Sequence, residues 1–109
     1  MRRRDLRILA AAALFLFAVA AHAASSQHVE VTMQQFAFAP AEVSVPAGAT
    51  VTWTNRDTVP HSVTATDGSF DSGAIEPGKS FEWKASEPVA YHCVYHPSMT
   101  GSVKVTAAP

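Results

Sequence analysis

Residues 45–63 read "VPAGATVTWTNRDTVPHSV", and the fold turns on whether the run "ATVTWT" within them is strand or helix. Val51 and Trp53 fall on one side of that run, and Thr50 and Thr52 on the other. Alternation of period two in β-branched and aromatic residues is the pattern of a half-buried strand. "PAG" ahead of it is a turn, and "NRDTVP" behind it is a loop that enters another strand at His61.

The same pattern recurs on both sides. "HVEVTM" puts Val29, Val31 and Met33 on one face, and "AEVSV" runs from Pro40 to the "PAG" turn. Downstream, "HSVTAT" ends at Asp67-Gly68, and "EPGK" is a turn. "SFEWK" pairs Phe81 with Trp83, "VAYHC" aligns Val89, Tyr91 and Cys93, and "GSVKVT" pairs Val103 with Val105. A helical stripe of ten residues occurs nowhere in this part, although "DGSFDSGAI" could hold a short turn. Short strands at this spacing predict an all-β domain, a sandwich or barrel.

The first residues have another pattern. "MRRRDLR" is basic, "ILAAAALFLFAVAA" is apolar, and "AHA", Ala21–Ala23, offers small residues for cleavage. This is the layout of an export signal spanning 1–23, with the mature domain at 24–109. The apolar run is short for a membrane span, which needs roughly 20 residues, so no anchor is expected after cleavage. The chain of 109 residues is thus a single domain behind a signal, large enough for a modest core. Four of its eight basic residues lie in the signal, which leaves Arg56, Lys79, Lys84 and Lys104 against eight acids, about −4. Without a basic stripe, nucleic acid is an unsuited partner.

Outside the cytoplasm cysteines usually pair, yet Cys93 is the single cysteine and cannot pair within the chain. It stands in "YHCVYHPSMTG", Tyr91–Gly101, between two histidines and ahead of a methionine. Successive side chains of a strand face opposite ways. If Tyr91 and Cys93 point inward, His92 points away, whereas His96 lies in the following loop and can fold back with Met99. Thiolate, imidazole and thioether are soft or borderline donors suited to copper, and a Cys, two His and a weak axial Met make an electron-transfer copper site. The second histidine is expected to be His61, which opens a strand after Pro60. His28 sits at a chain end that frays. The expected metal ligands are therefore His61, Cys93, His96 and Met99.

These residues carry a family resemblance. "VPAGATVTWTNRDTVPHSV", "FDSGAIEPGKSFEW", "YHCVYHPSMTG" and the closing "VKV" resemble the cupredoxins, the small blue copper proteins, and most closely their amicyanin and plastocyanin branch. The resemblance covers nearly all of residues 29–106 and implies a Greek-key β-sandwich or barrel with one type 1 copper. It implies the ligands His61, Cys93, His96 and Met99, with His96 as the electron port in an apolar ring of Pro60, Pro97 and Val59. With the export signal this makes a periplasmic, monomeric electron carrier the expectation, and because a fully ligated site has no open position for a substrate, no enzyme activity is expected. The mildly acidic mature surface fits a basic partner such as a c-type cytochrome, and the resemblance implies a periplasmic dehydrogenase as donor. Two other functions compete: copper carriage or storage, disfavoured by the lack of Met- or His-rich tracts, and a metal-free β-sandwich binding module.

The chain departs from the family pattern twice. The family usually has Asn after the first histidine, where this chain has Ser62, so the tie between the ligand loops is expected to be weaker or differently built. It usually has Pro before the loop histidine, where this chain has Tyr95. Unlike proline, Tyr95 has an N–H, expected to point at the Cys93 sulfur and, by withdrawing charge from it, to raise the reduction potential.

Overall fold

The computed structural model of the chain describes residues 27–107. The expected export signal, 1–23, and the first residues of the expected mature domain lie outside them. Among the described residues eight strands form two four-stranded sheets. In chain order they are β1 (His28–Gln34), β2 (Ala37–Ala39), β3 (Glu42–Pro46), β4 (Thr50–Asn55), β5 (Thr64–Ala65), β6 (Ser80–Lys84), β7 (Val89–His92) and β8 (Thr100–Thr106). The first sheet has the order β2-β1-β4-β6 and the second β3-β8-β7-β5. Pairing is parallel for β1 with β4 and for β3 with β8, and antiparallel elsewhere. The result is a Greek-key β-sandwich; neither sheet closes into a barrel among the described residues.

Alternation determines which side chains meet between the sheets. Val31, Met33, Val51 and Trp53 of the first sheet are buried, as are Val43, Val45, Tyr91 and Val103 of the second. Trp53 and Tyr91 meet edge-on across the sandwich at 5.2 Å, and Tyr91 also takes the edge of Phe38 at 4.7 Å. Aromatic pairs favour this geometry because the positive ring edge faces the negative ring face. Phe81 and Trp83 are only partly buried, and both stack with Phe70. Two connections are turns that require glycine. Ala49 N–H bonds to the Pro46 carbonyl with Gly48 at φ 93°, and Lys79 N–H bonds to the Glu76 carbonyl with Gly78 at φ 83°. Both fit type II turns, whose third residue takes positive φ.

Two features differ from the sequence reading and one agrees with it. β2 is an additional strand that places Phe38 in the core opposite Met33. "HSVTAT" contributes only the two residues of β5, flanked by isolated bridges of His61 to Ile75 and of Thr64 to Asp71. As expected, "DGSFDSGAI" holds turns and no helix; its backbone is held by hydrogen bonds from Ser69 N–H to Asp67 and from Gly73 N–H to Asp71. Asx turns of this kind give the chain a local alternative to helix.

Candidate metal centre

Two loops build the site, one between β4 and β5, the other between β7 and β8. The first begins at Asn55, which is fully buried at the end of β4. Its amide nitrogen donates to the Val59 and Ile75 carbonyls, each at 2.8 Å, and its side-chain oxygen accepts the Asp57 N–H at 2.9 Å. One amide thus satisfies three backbone groups of a loop that would otherwise leave them unpaired. His61 is then fixed by a double backbone bridge to Ile75 at 3.1 and 2.7 Å. Its ring is wholly buried, with Nε2 2.7 Å from Asp57 Oδ2.

The second loop starts where β7 ends. Tyr91 and Cys93 are buried and His92 is turned outward against Thr66, as strand alternation requires. Cys93 N–H donates to the Met99 carbonyl at 3.1 Å, and Met99 N–H to the His96 carbonyl at 2.8 Å, so the loop curls and buries the Met99 side chain. The loops converge at the thiol. Cys93 Sγ lies 3.8 Å from His61 Nδ1 and accepts the Ser62 N–H at 3.3 Å. The His96 ring lies edge-on to His61 at 5.1 Å and is partly exposed.

Among the described residues no three His, Cys, Asp or Glu side chains form a ready-made metal cage. The arrangement is a close pair, His61 and Cys93, with His96 against the first ring and Met99 behind the loop. The pair fits a bound ion. Metal–sulfur and metal–nitrogen bonds of about 2.3 and about 2.0 Å, at about 120° to each other, require sulfur and nitrogen about 3.7 Å apart. The observed 3.8 Å matches. The ring nitrogen turned away from the sulfur is already engaged by Asp57, which leaves Nδ1 free to meet such an ion.

Ser62 answers the first departure from the family pattern. Its hydroxyl accepts the Val94 N–H at 2.9 Å and bonds to the Thr64 hydroxyl at 2.9 Å, so the loops are tied through a serine oxygen. The second departure corrects an expectation. Tyr95 makes no hydrogen bond to Cys93; the backbone N–H that reaches the sulfur belongs to Ser62. The Tyr95 side chain is exposed on the surface.

Sequence reasoning missed two residues here. Phe36, at the β1–β2 turn, is exposed, and its ring edges onto His96 at 4.8 Å and His61 at 5.6 Å. With Val94 and Tyr95 it makes up the exposed large hydrophobic side chains among the described residues, and those two lie in the His96 loop. Pro60 and Pro97 are exposed as well, whereas Val59 is partly buried. Asp57 is the other. Partial burial pushes its carboxyl up, but hydrogen bonds from His61, Phe36 and Gln35 outweigh that and hold it below the ordinary aspartate value. A carboxylate four residues ahead of the histidine was the available signal; Phe36 had none.

Comparison with known proteins agrees with this fold. The profile of the family described as "Cupredoxin-like domain" matches residues 7–105. "Amicyanin-alpha" of Methylorubrum extorquens is 32% identical over 83 residues, which are 70% of this chain and 70% of that protein. "Amicyanin" of Paracoccus denitrificans is 35% identical over 71 residues, 59% of this chain, and the match spans only 54% of the Paracoccus protein's own length. A Cu(I) structure of an amicyanin variant superposes with a TM-score of 0.69 at 26% identity, covering 76% of this chain and 86% of that one. A "Novel Purple Cupredoxin from Nitrosopumilus maritimus" superposes with a TM-score of 0.65 at 29% identity, covering 72% of this chain and 99% of that one. The chain belongs to the cupredoxin family.

Proposed function

We propose that this cupredoxin is an exported type 1 copper protein that carries single electrons between periplasmic redox partners, with His61, Cys93, His96 and Met99 as the copper ligands. The observation that carries the reading is the buried approach of Cys93 Sγ to His61 Nδ1 at 3.8 Å, with the far ring nitrogen of His61 held by Asp57. Copper bound there would supply a one-electron Cu(II)/Cu(I) couple.

The protein's own residues do the rest. The Ser62 N–H stabilises charge on the Cys93 sulfur. The Ile75 bridge and the Asn55 hub keep His61 from moving, and the Ser62–Val94 bond keeps the two loops in register. His96, partly exposed beside Phe36, Val94 and Tyr95, gives an apolar point of approach for a partner. Small apolar patches suit brief redox encounters. A c-type cytochrome or a periplasmic dehydrogenase is the class of partner proposed, with the domain spanning 24–109 after removal of the signal. With all four donors committed to the metal, no open position remains for a substrate, so the protein is read as a carrier and not an enzyme.

Cu(II) added to the purified metal-free protein tests this. The expected result is an intense visible thiolate-to-copper absorption that Cys93→Ser abolishes. Colourless binding would point to copper carriage, and no binding would overturn both.

A further inference from the structure

The β1–β2 connection breaks a local rule. Gln35 and Phe36, its two residues, have φ of 56° and 58°, and neither is glycine. Two-residue turns with both φ positive normally use Asn-Gly or Gly-Gly, because other side chains crowd the backbone there. A bulky residue such as Phe36 persists in this region only where its surroundings over-determine it. Here both N–H groups of the turn are held by a single carboxylate. Asp57 Oδ1 accepts the Gln35 N–H at 2.7 Å, and Asp57 Oδ2 accepts the Phe36 N–H at 3.0 Å and meets His61 Nε2 at 2.7 Å. The turn so held puts Phe36 edge-on to both His61 and His96.

From this geometry we infer that Asp57 is a positioning residue that locks the buried imidazole and the aromatic cover of the site into one unit. A carboxylate only accepts, so its bond to His61 places the ring proton on Nε2 and leaves the Nδ1 lone pair facing Cys93. The same carboxylate sets the turn that carries Phe36, and Phe36 in turn limits the room of the His96 ring. One residue without contact to the Cys93 sulfur thereby governs both histidine rings. The inference rests on the copper reading for its effect on metal retention, and on hydrogen-bond geometry alone for its effect on the His61 tautomer.

Both effects can be measured. In the metal-free protein, long-range proton–nitrogen NMR reads which ring nitrogen of His61 carries the proton. The wild type is expected to carry it on Nε2. Asp57→Asn, whose amide can donate to Nε2, is expected to move a large part of the population to the Nδ1-protonated form. On the loaded protein, copper release to a chelator is expected to be about 10- to 100-fold more favourable in Asp57→Asn. The double change Gln35→Asn with Phe36→Gly supplies residues that accept the turn without help. If Asp57 served the turn alone, Asp57→Asn would be silent in that background; the tautomer shift is expected to persist. An Nε2 proton unmoved by Asp57→Asn, in either background, would overturn the assignment. If the wild type itself takes up no copper, the electron-carrier reading falls, while the tautomer still decides the role of Asp57.

Discussion

The Val94 N–H donates to the Ser62 hydroxyl at 2.9 Å, and that bond joins the loop of His61 to the loop of Cys93. Ser62 is fully buried, so its hydroxyl cannot be replaced by solvent without opening the site. Ser62→Ala is expected to cost about 0.5–1.5 kcal/mol, the net worth of one intramolecular hydrogen bond. Thermal unfolding of the metal-free protein checks the cost. Faster labelling of the Cys93 thiol checks the site: an unchanged labelling rate would mean that the loops are held elsewhere.

Met99 is buried almost completely at the foot of its loop. Met99→Ala is expected to destabilise the metal-free protein by about 2–5 kcal/mol, as a core truncation does. Met99→Leu conserves the volume and is expected to cost less than about 1.5 kcal/mol. On the copper reading, Met99→Leu would also remove a weak thioether donor, and the reduction potential is expected to rise. Denaturation and voltammetry of the two variants separate packing from ligation.

Gly101 lies directly against the ring and hydroxyl of Tyr91, where a methyl group would overlap them. The two residues face each other across the β7–β8 pairing. Gly101→Ala is expected to destabilise by about 1–3 kcal/mol through overpacking. Adding Tyr91→Phe removes the oxygen from the collision, so the double variant is expected to recover part of the loss. Strict additivity in the double-mutant cycle would contradict the contact.

Tyr91 also predicts behaviour in alkali. Burial pushes its phenol above the ordinary tyrosine value, and the Trp53 indole offsets this only in part. Among the described residues neither the Tyr91 hydroxyl nor the Trp53 N–H has a partner in hydrogen-bond geometry. A group whose folded pKa is raised contributes stability that is whole below its unfolded pKa, about 10 for tyrosine, and is lost as pH climbs toward the folded value. Stability is therefore expected to fall above about pH 10, less steeply in Tyr91→Phe. Near neutrality Tyr91→Phe is expected to be no less stable than the wild type, since it deletes an unpaired buried oxygen.

Period-two alternation made six strands legible, because burial on one face imposes that pattern whatever the neighbours are. β2 escaped because three residues are too few to show a period and because the Gln35-Phe36 turn lacks the residues that announce one. β5 was overextended because Ser62 and Val63 are buried by the site loops rather than by sheet pairing. In the candidate site, the outward turn of His92 followed from strand geometry. The nearness of His61 to Cys93 followed from the donor chemistry and the loop entry at Pro60. The Asp57 carboxylate and the Phe36 ring did not follow, since they meet His61 only after β1, β2 and β4 have paired. The direction of the Tyr95 N–H was set by the backbone path of the curled loop, which residue types do not determine.

The parallel pairing of β3 with β8 has a consequence for how the molecule assembles. Glu42 and Ser102 are 60 residues apart, yet they stand side by side in that ladder, and β8 is the strand that β3 pairs with. Until β8 arrives, β3 is a bare edge open to pairing with another chain. Contacts so distant in the chain must repay the loss of loop entropy before they stabilise anything, which makes them late. β8 also closes the Cys93–Met99 loop through its pairing with β7. The step that protects the vulnerable edge of the second sheet is thus the same step that closes the loop carrying Cys93, His96 and Met99, and a chain stalled before it would be both aggregation-prone and without its candidate site.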